Sequence, residues 1–157
     1  AREVARDHPR VGTMIPEEFE RRLGQREQPL VFDVRERAEF EVSHIPGAVH
    51  VDPDISVEDF MARYGELLDG RAVLMYCSVG VRSSILAARI SREAMTRGAA
   101  GVYNLRGGVF AWHNTGRTLK HAPSRSATWK VHPYSRSWSR VLDFGNYVSY
   151  GPRKGLW

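Results

Sequence analysis

The chain predicts an α/β fold: a central, mostly parallel sheet of about five strands with helices on both faces, and a basic, aromatic C-terminal extension. Three observations carry this. Helical and strand-like segments alternate across the first ~115 residues. The strand segments are short continuous apolar runs, as in sheets covered on both sides, not the polar/apolar alternation of a half-wet sheet. Finally, 157 residues, 42% of them apolar, suffice for one real core without disulfides or metals.

The elements follow in order. Ile15 to Leu23 reads as an amphipathic helix, with Pro16 in its first turn, Glu17 and Glu18 matching the dipole, and Gly24 as its exit. Pro29 breaks to the apolar strand Leu30 to Val34. Glu36 to Val42 reads as a short helix, Ile45-Pro46-Gly47 as a turn, and Ala48 to Val51 as a second strand. Ser56 caps a helix running to Tyr64. Ala72 to Tyr76 is a near-continuous apolar strand. Val81 to Arg97 is the longest helical pattern, with Ile85, Leu86, Ala88, Ile90 and Met95 as its expected inner face and Gly98 as its stop. Val102 to Leu105 is a strand, and Gly107-Gly108 leads into a helix from Val109 to Asn114.

The net charge of +5 is unevenly placed. Residues 1–116 carry 15 Arg against 17 acids, a net −2, whereas residues 117–157 carry eight Lys/Arg against Asp143 alone, a net +7. The chain therefore divides into a domain at 1–118 and an extension at 119–157 packed on that domain or on a partner. Within the extension Val131 to Tyr134 reads as extended chain, and Ser135 could cap a helix from Arg136 to Leu142. Its aromatic residues, among them Trp129, Trp138 and Phe144, make it too apolar for a free linker. The basic extension could attract RNA, an acidic partner or a membrane surface. No apolar run approaches the ~18–20 residues of a membrane span, and the opening residues show no signal-peptide pattern. A cytoplasmic, reducing compartment is the expectation.

One cysteine, Cys77, stands between a strand and the longest helix, in the run Cys77-Ser78-Val79-Gly80-Val81-Arg82-Ser83. A lone cysteine cannot close an internal disulfide. At the carboxyl end of a buried strand, where α/β sheets place their active sites, it reads as a nucleophile. The helix start and the converging loop amides favour its thiolate. Four residues separate Cys77 from Arg82. Cysteine phosphatases use five, a wider loop that cradles phosphate; the tighter ring suits one sulfur atom carried on the cysteine. Gly80 supplies the positive φ of the sharp turn. Asp33 lies at a second strand end.

Three runs resemble the rhodanese family of sulfurtransferases. Asp33 to Asp52, "DVRERAEFEVSHIPGAVHVD", is similar to its N-terminal signature, with Ser43 where glycine is usual. "CSVGVRS" resembles the single-domain active loop, and Val102 to Trp112, "VYNLRGGVFAW", the C-terminal signature. The likeness spans roughly residues 10–118 in the right order. It implies a three-layer sandwich and sulfur transfer through a Cys77 persulfide in ping-pong fashion. Amides of Ser78, Val79, Gly80, Val81, Arg82 and Ser83 would stabilise the persulfide anion. Neither metal nor organic cofactor is implied, and His50, His113, His121 and His132 lack the close spacing of metal ligands.

The resemblance implies a small sulfur donor, thiosulfate or a persulfide, a thiol or cyanide acceptor, and a protein as a further possible donor. Ser78 and Val79 are neutral where a sulfonate would want cations, so thiosulfate is expected to be a poor donor. Arg82 is expected to brace the loop against a carboxylate, with Glu36 and Glu39 as candidates. Asp33 ties neighbouring loop amides, and Arg35 is expected to pair with Glu39. His44 lies in a packing turn, and Trp112 in the core. Two other functions compete with the sulfurtransferase: a non-catalytic or regulatory binding module that uses the pocket and basic tail, and a phosphatase or arsenate reductase, disfavoured by loop length.

Overall fold

The computed structural model describes residues 11–121, 126–128 and 130–133. Five parallel strands form the central sheet: β1 (Gly12–Met14), β2 (Leu30–Asp33), β3 (Val49–His50), β4 (Ala72–Tyr76) and β5 (Gly101–Leu105). Their order across the sheet is β1-β5-β4-β2-β3. The helices are α1 (Pro16–Leu23), α2 (Arg37–Val42), α3 (Val57–Tyr64), α4 (Val81–Thr96) and α5 (Gly108–Asn114). A two-stranded antiparallel ribbon follows, β6 (Leu119–Lys120) with β7 (Ala127–Thr128).

Alternation along the strands feeds two cores, one on each face. From β4, Val73 and Met75 join Phe32, Val102, Phe60 and Met61 under α3 and α4. Ala72, Leu74 and Tyr76 point the other way, into a cluster with Phe19 of α1, Val109, Phe110 and Trp112 of α5, and Leu119 and Val131. Phe19 meets Trp112 edge-on at 6.1 Å between centroids, a geometry that aromatic quadrupoles favour.

Local chemistry explains the helix ends. Ser56 caps α3 by accepting the Asp59 amide at 3.0 Å. Glu36 precedes α2, and the Glu39 carboxylate reaches back to its amide at 2.8 Å. Gly98, φ +89°, follows α4 in the left-handed region, whereas Gly24 closes α1 with an ordinary right-handed φ of −84°.

The inner face of α4 differs from the expectation. Leu86 and Ile90 are buried, joined by Ser83, Ala87, Ser91 and Ala94. Ile85 and Met95, expected inside, are 48% and 49% exposed. Small residues bring α4 close to the sheet, so the buried stripe follows Ser83, Ala87, Ser91 and Ala94, and the larger side chains at 85 and 95 are turned outward.

The sheet order places a switch point between β4 and β2. From β2 the chain leaves toward β3 at one edge; from β4 it leaves toward β5 on the opposite side. Ligand crevices form where connections diverge in this way. Asp33 pairs with Tyr76 across this seam, and Cys77 is the next residue of the chain.

Candidate active site

Beneath the seam lies a buried polar base. Arg35 and Asp33, two apart on extended chain, lie on the same side, and Nε and Nη2 of Arg35 donate to Oδ1 and Oδ2 of Asp33 at 2.8 and 2.6 Å. The Arg35 amide donates to Oδ1 at 3.1 Å, so Asp33 ties a neighbouring loop amide. Tyr76 Oη donates to Asp33 Oδ2 at 2.7 Å and accepts the Ile45 amide at 2.9 Å. Burial works against the Arg35 charge, yet Asp33 beside it raises its pKa above the ordinary value. Burial, then the Asp33 charge, push the Tyr76 phenol well up, so it stays a donor. The expected Arg35–Glu39 pair is therefore replaced by Arg35–Asp33; the shorter, on-strand partner wins.

Glu39 is instead the partner of Arg82. Nη1 and Nη2 of Arg82 donate to Oε2 and Oε1 of Glu39 at 3.0 and 3.1 Å. Ser78 Oγ donates to Oε1 at 2.9 Å and accepts from Arg82 Nη2 at 2.9 Å. Of the two carboxylates left open by the sequence, Glu39 is the one that meets Arg82; Glu36 caps α2 and donates its amide to Glu39. Burial works against the Glu39 charge, but Arg82 outweighs it and holds the carboxyl below its usual range. For Arg82, burial is likewise outweighed, first by Glu39 and then by Cys77, so its pKa is raised.

The loop itself turns its carbonyls outward. The Cys77 carbonyl accepts the Val109 amide at 2.8 Å, and the Ser78 carbonyl accepts that of Phe110 at 3.1 Å. Asn104 Nδ2 donates to the Gly80 carbonyl at 3.0 Å, and Asn104 Oδ1 accepts the Ser83 hydroxyl at 2.7 Å. Gly80, φ +103°, makes the left-handed turn and aims its own amide at Cys77 Sγ, 3.1 Å away. Val79 packs against the α1–α5 cluster, and Val81 opens α4 with an exposed side chain. Cys77 is only 1% exposed. The sulfur is buried within the loop, under the Gly80 amide.

Two fasteners went unread in the sequence. Asn104 is a polar residue inside an apolar strand, which is the one signal that could have found it. Gly108 is the other: a Cβ there would overlap the carbonyl oxygens of Cys77 and Ser78. The histidines serve the frame. His44 stacks on Phe40 with centroids 4.0 Å apart, burial lowering its pKa, and His50 Nε2 lies 2.7 Å from the Arg35 carbonyl. Trp112 is buried and donates its indole N–H to the Thr118 carbonyl.

A five-strand parallel sheet flanked by helices, with Cys77 following the strand at its switch point, defines an α/β protein. The family model described as Rhodanese-like domain matches residues 15–115, and the chain belongs to that family. It is 33% identical over 106 residues to a protein named Sulfurtransferase from Allochromatium vinosum, covering 68% of this chain and 92% of that one. An uncharacterized protein, YqhL of Bacillus subtilis, is 36% identical over 100 residues, 64% of this chain and 71% of its own. The tRNA uridine(34) hydroxylase of Bacillus cereus is 30% identical over 101 residues, 62% of this chain but 30% of that protein. Among solved structures, a Rhodanese-like domain protein from Staphylococcus aureus superposes with TM-score 0.54 at 22% identity, covering 70% of this chain and 97% of its own. The fold is thus that of the rhodanese-like domain. Among the described residues no helix is long and apolar enough to cross a membrane.

Proposed function

We propose that the protein is a sulfurtransferase that carries sulfane sulfur on Cys77. In the first half-reaction the Cys77 thiolate attacks the outer sulfur of the donor. An Sγ–S bond forms, the donor's S–S bond breaks, and its electron pair leaves with sulfite or a thiolate. An acceptor thiolate or cyanide then attacks the outer sulfur of the persulfide, and the Cys77 thiolate departs. Ser78 to Ser83 supply the amides that hold the terminal anion, Arg82 and Glu39 brace them, and Asp33 with Arg35 support the floor.

The observation that carries this reading is the 3.1 Å contact from the Gly80 amide to Sγ, with the carbonyls of Cys77, Ser78 and Gly80 all engaged elsewhere. A loop wired this way offers N–H groups, not oxygens, to whatever sits on the sulfur. The lack of cations at Ser78 and Val79 favours a low-molecular-weight or protein persulfide over thiosulfate. A cysteine that must stay a thiolate between cycles, unoxidised, suits a cytoplasmic, reducing compartment. RNA as a partner rests on the +7 charge of residues 117–157 alone.

The burial of Cys77 favours one other reading, a binding module whose cysteine does no chemistry. Mass spectrometry after incubation with glutathione persulfide or thiosulfate separates them. The sulfurtransferase gains one sulfur, removable by cyanide, and Cys77→Ser gains none. An intact wild-type mass with both donors would leave the binding module standing. A low-millimolar KM for thiosulfate would overturn the donor preference.

A further inference from the structure

The other end of the sheet carries chemistry that the Cys77 loop does not use. Gly12 opens β1, Gly101 opens β5, and Tyr103 pairs with Gly12 across that edge. A Cβ at Gly12 would overlap the Tyr103 ring, and one at Gly101 would overlap its Oη and Cε2. The two glycines therefore clear the space in which the ring lies, the kind of close approach for which strands keep glycine. The Arg22 guanidinium stands over that ring, 5.6 Å from its centroid, within cation–π reach. Thr13, Glu18, Arg21, Arg22, Gln25 and Tyr103 line a groove of about 440 Å³ between α1 and the β1 edge. Helix α1 has the spacing for two internal ion pairs, Glu17 with Arg21 and Glu18 with Arg22, four apart with the acid first. Neither forms. Arg117 draws Glu17 and Glu20 away, at 3.6 and 2.9 Å, and Glu18 Oε2 accepts the Ile15 amide at 3.3 Å. Among the described residues no carboxylate lies within ion-pair distance of Arg21 or Arg22.

We propose that this groove binds a free nucleoside monophosphate. Two guanidiniums whose nearest acids are employed elsewhere suit a phosphate, which takes their paired donors. Tyr103 with Arg22 over it is a stacking platform for a base, since bases lie on aromatic rings and on guanidinium planes alike. Glu18 Oε1 repels a phosphate and suits a ribose hydroxyl as its donor. The volume falls within the range of small-ligand sites. A strand of RNA would need a succession of such platforms, and the groove offers one. It lies near the amino ends of β1 and β5, whereas Cys77 follows the carboxyl end of β4. The nucleotide site therefore stands apart from the sulfurtransferase reading and does not depend on it.

The test titrates the nitrogen-15-labelled full chain with adenosine monophosphate at low salt and follows backbone amide shifts. The amides of Thr13, Gln25 and Tyr103 should move together and saturate. Ribose 5-phosphate, which lacks the base, should bind about tenfold more weakly, the scale of one stacked base. Arg22→Gln should weaken adenosine monophosphate about tenfold, the scale of one charge-assisted contact, while Cys77 alkylation stays unchanged. Arg21→Gln, at an exposed position, should do the same and serves if the first variant does not fold. No movement at these three amides, or movement undiminished in the folded variants, overturns the proposal. So does a short oligouridylate that moves the same amides at far lower concentration, which would make the groove a strand site.

Discussion

Asn104 and Gly80 are joined across the seam between β5 and the cysteine loop by a 3.0 Å hydrogen bond. The same amide group accepts the Ser83 hydroxyl, so one side chain fixes the loop's turn and the first turn of α4 together. Asn104→Ala leaves the buried Ser83 hydroxyl without its acceptor, at about 1–3 kcal/mol, and leaves the Gly80 carbonyl with the Ser84 amide alone. Urea denaturation should show a lower midpoint at unchanged slope, and sulfur loading of Cys77 should slow.

Two glycines with positive φ provide a matched pair. A Cβ at Gly108 meets the Cys77 and Ser78 carbonyls, whereas one at Gly47 meets nothing within 4 Å. Gly47→Ala should cost only backbone strain, about 1–2 kcal/mol. Gly108→Ala should cost more and displace the loop, abolishing persulfide formation even in protein that still shows a cooperative melt.

Removing the brace should matter more than its exposure suggests. Glu39 is buried and Arg82 is one quarter exposed, so Glu39→Gln takes the shared carboxylate from a mostly covered guanidinium and from Ser78. A fully buried pair broken this way loses roughly 3–5 kcal/mol; here the expected loss is smaller, about 2 kcal/mol, because solvent screens Arg82. Arg82→Lys should recover part of the stability but not the two-pronged geometry. Thermal melts of the two variants beside wild type provide the check.

The acid side of the stability curve follows from the same pair. Arg82 keeps the Glu39 carboxyl below its usual range in the folded protein, so the folded state binds its proton less readily than the unfolded chain does. The stabilisation is complete above the ordinary carboxylate pKa and is lost as pH falls through the depressed folded value. Stability measured from pH 6 down to 2 should drop less steeply in Glu39→Gln than in wild type.

The depth of the sulfur predicts size selection. With Cys77 1% exposed, iodoacetamide should label it far faster than a bulky aromatic disulfide. Equal rates in the folded protein would contradict a thiol so deeply covered.

Most of the frame was legible because it depends on local pattern. Leu30 to Asp33, Ala72 to Tyr76 and Gly101 to Leu105 are apolar runs that only a covered sheet explains, and Ser56 and Gly98 mark helix limits by their chemistry. Cys77, its loop and the Gly80 turn were equally plain, since spacing and φ are properties of a few adjacent residues. β1 was not, because three residues at a sheet edge carry too little pattern to read. The partner of Arg35 was misjudged because the sequence offers Asp33 and Glu39 at similar separations and only the fold decides. Asn104 and Gly108 act at distances of tens of residues, where no local rule reaches. The expected helix from Arg136 to Leu142 lies outside the described residues.

The loop's fastenings come from α2, β5 and α5, 43 residues before Arg82 in one case and 24 after Gly80 in another. None of them exists in a half-made chain. The thiol therefore gains its special surroundings only when nearly the whole domain has emerged and closed, since distant contacts form late in assembly. Until then it is an ordinary side chain on an ordinary coil, so a fragment ending before Asn104 would carry the motif without the reactivity.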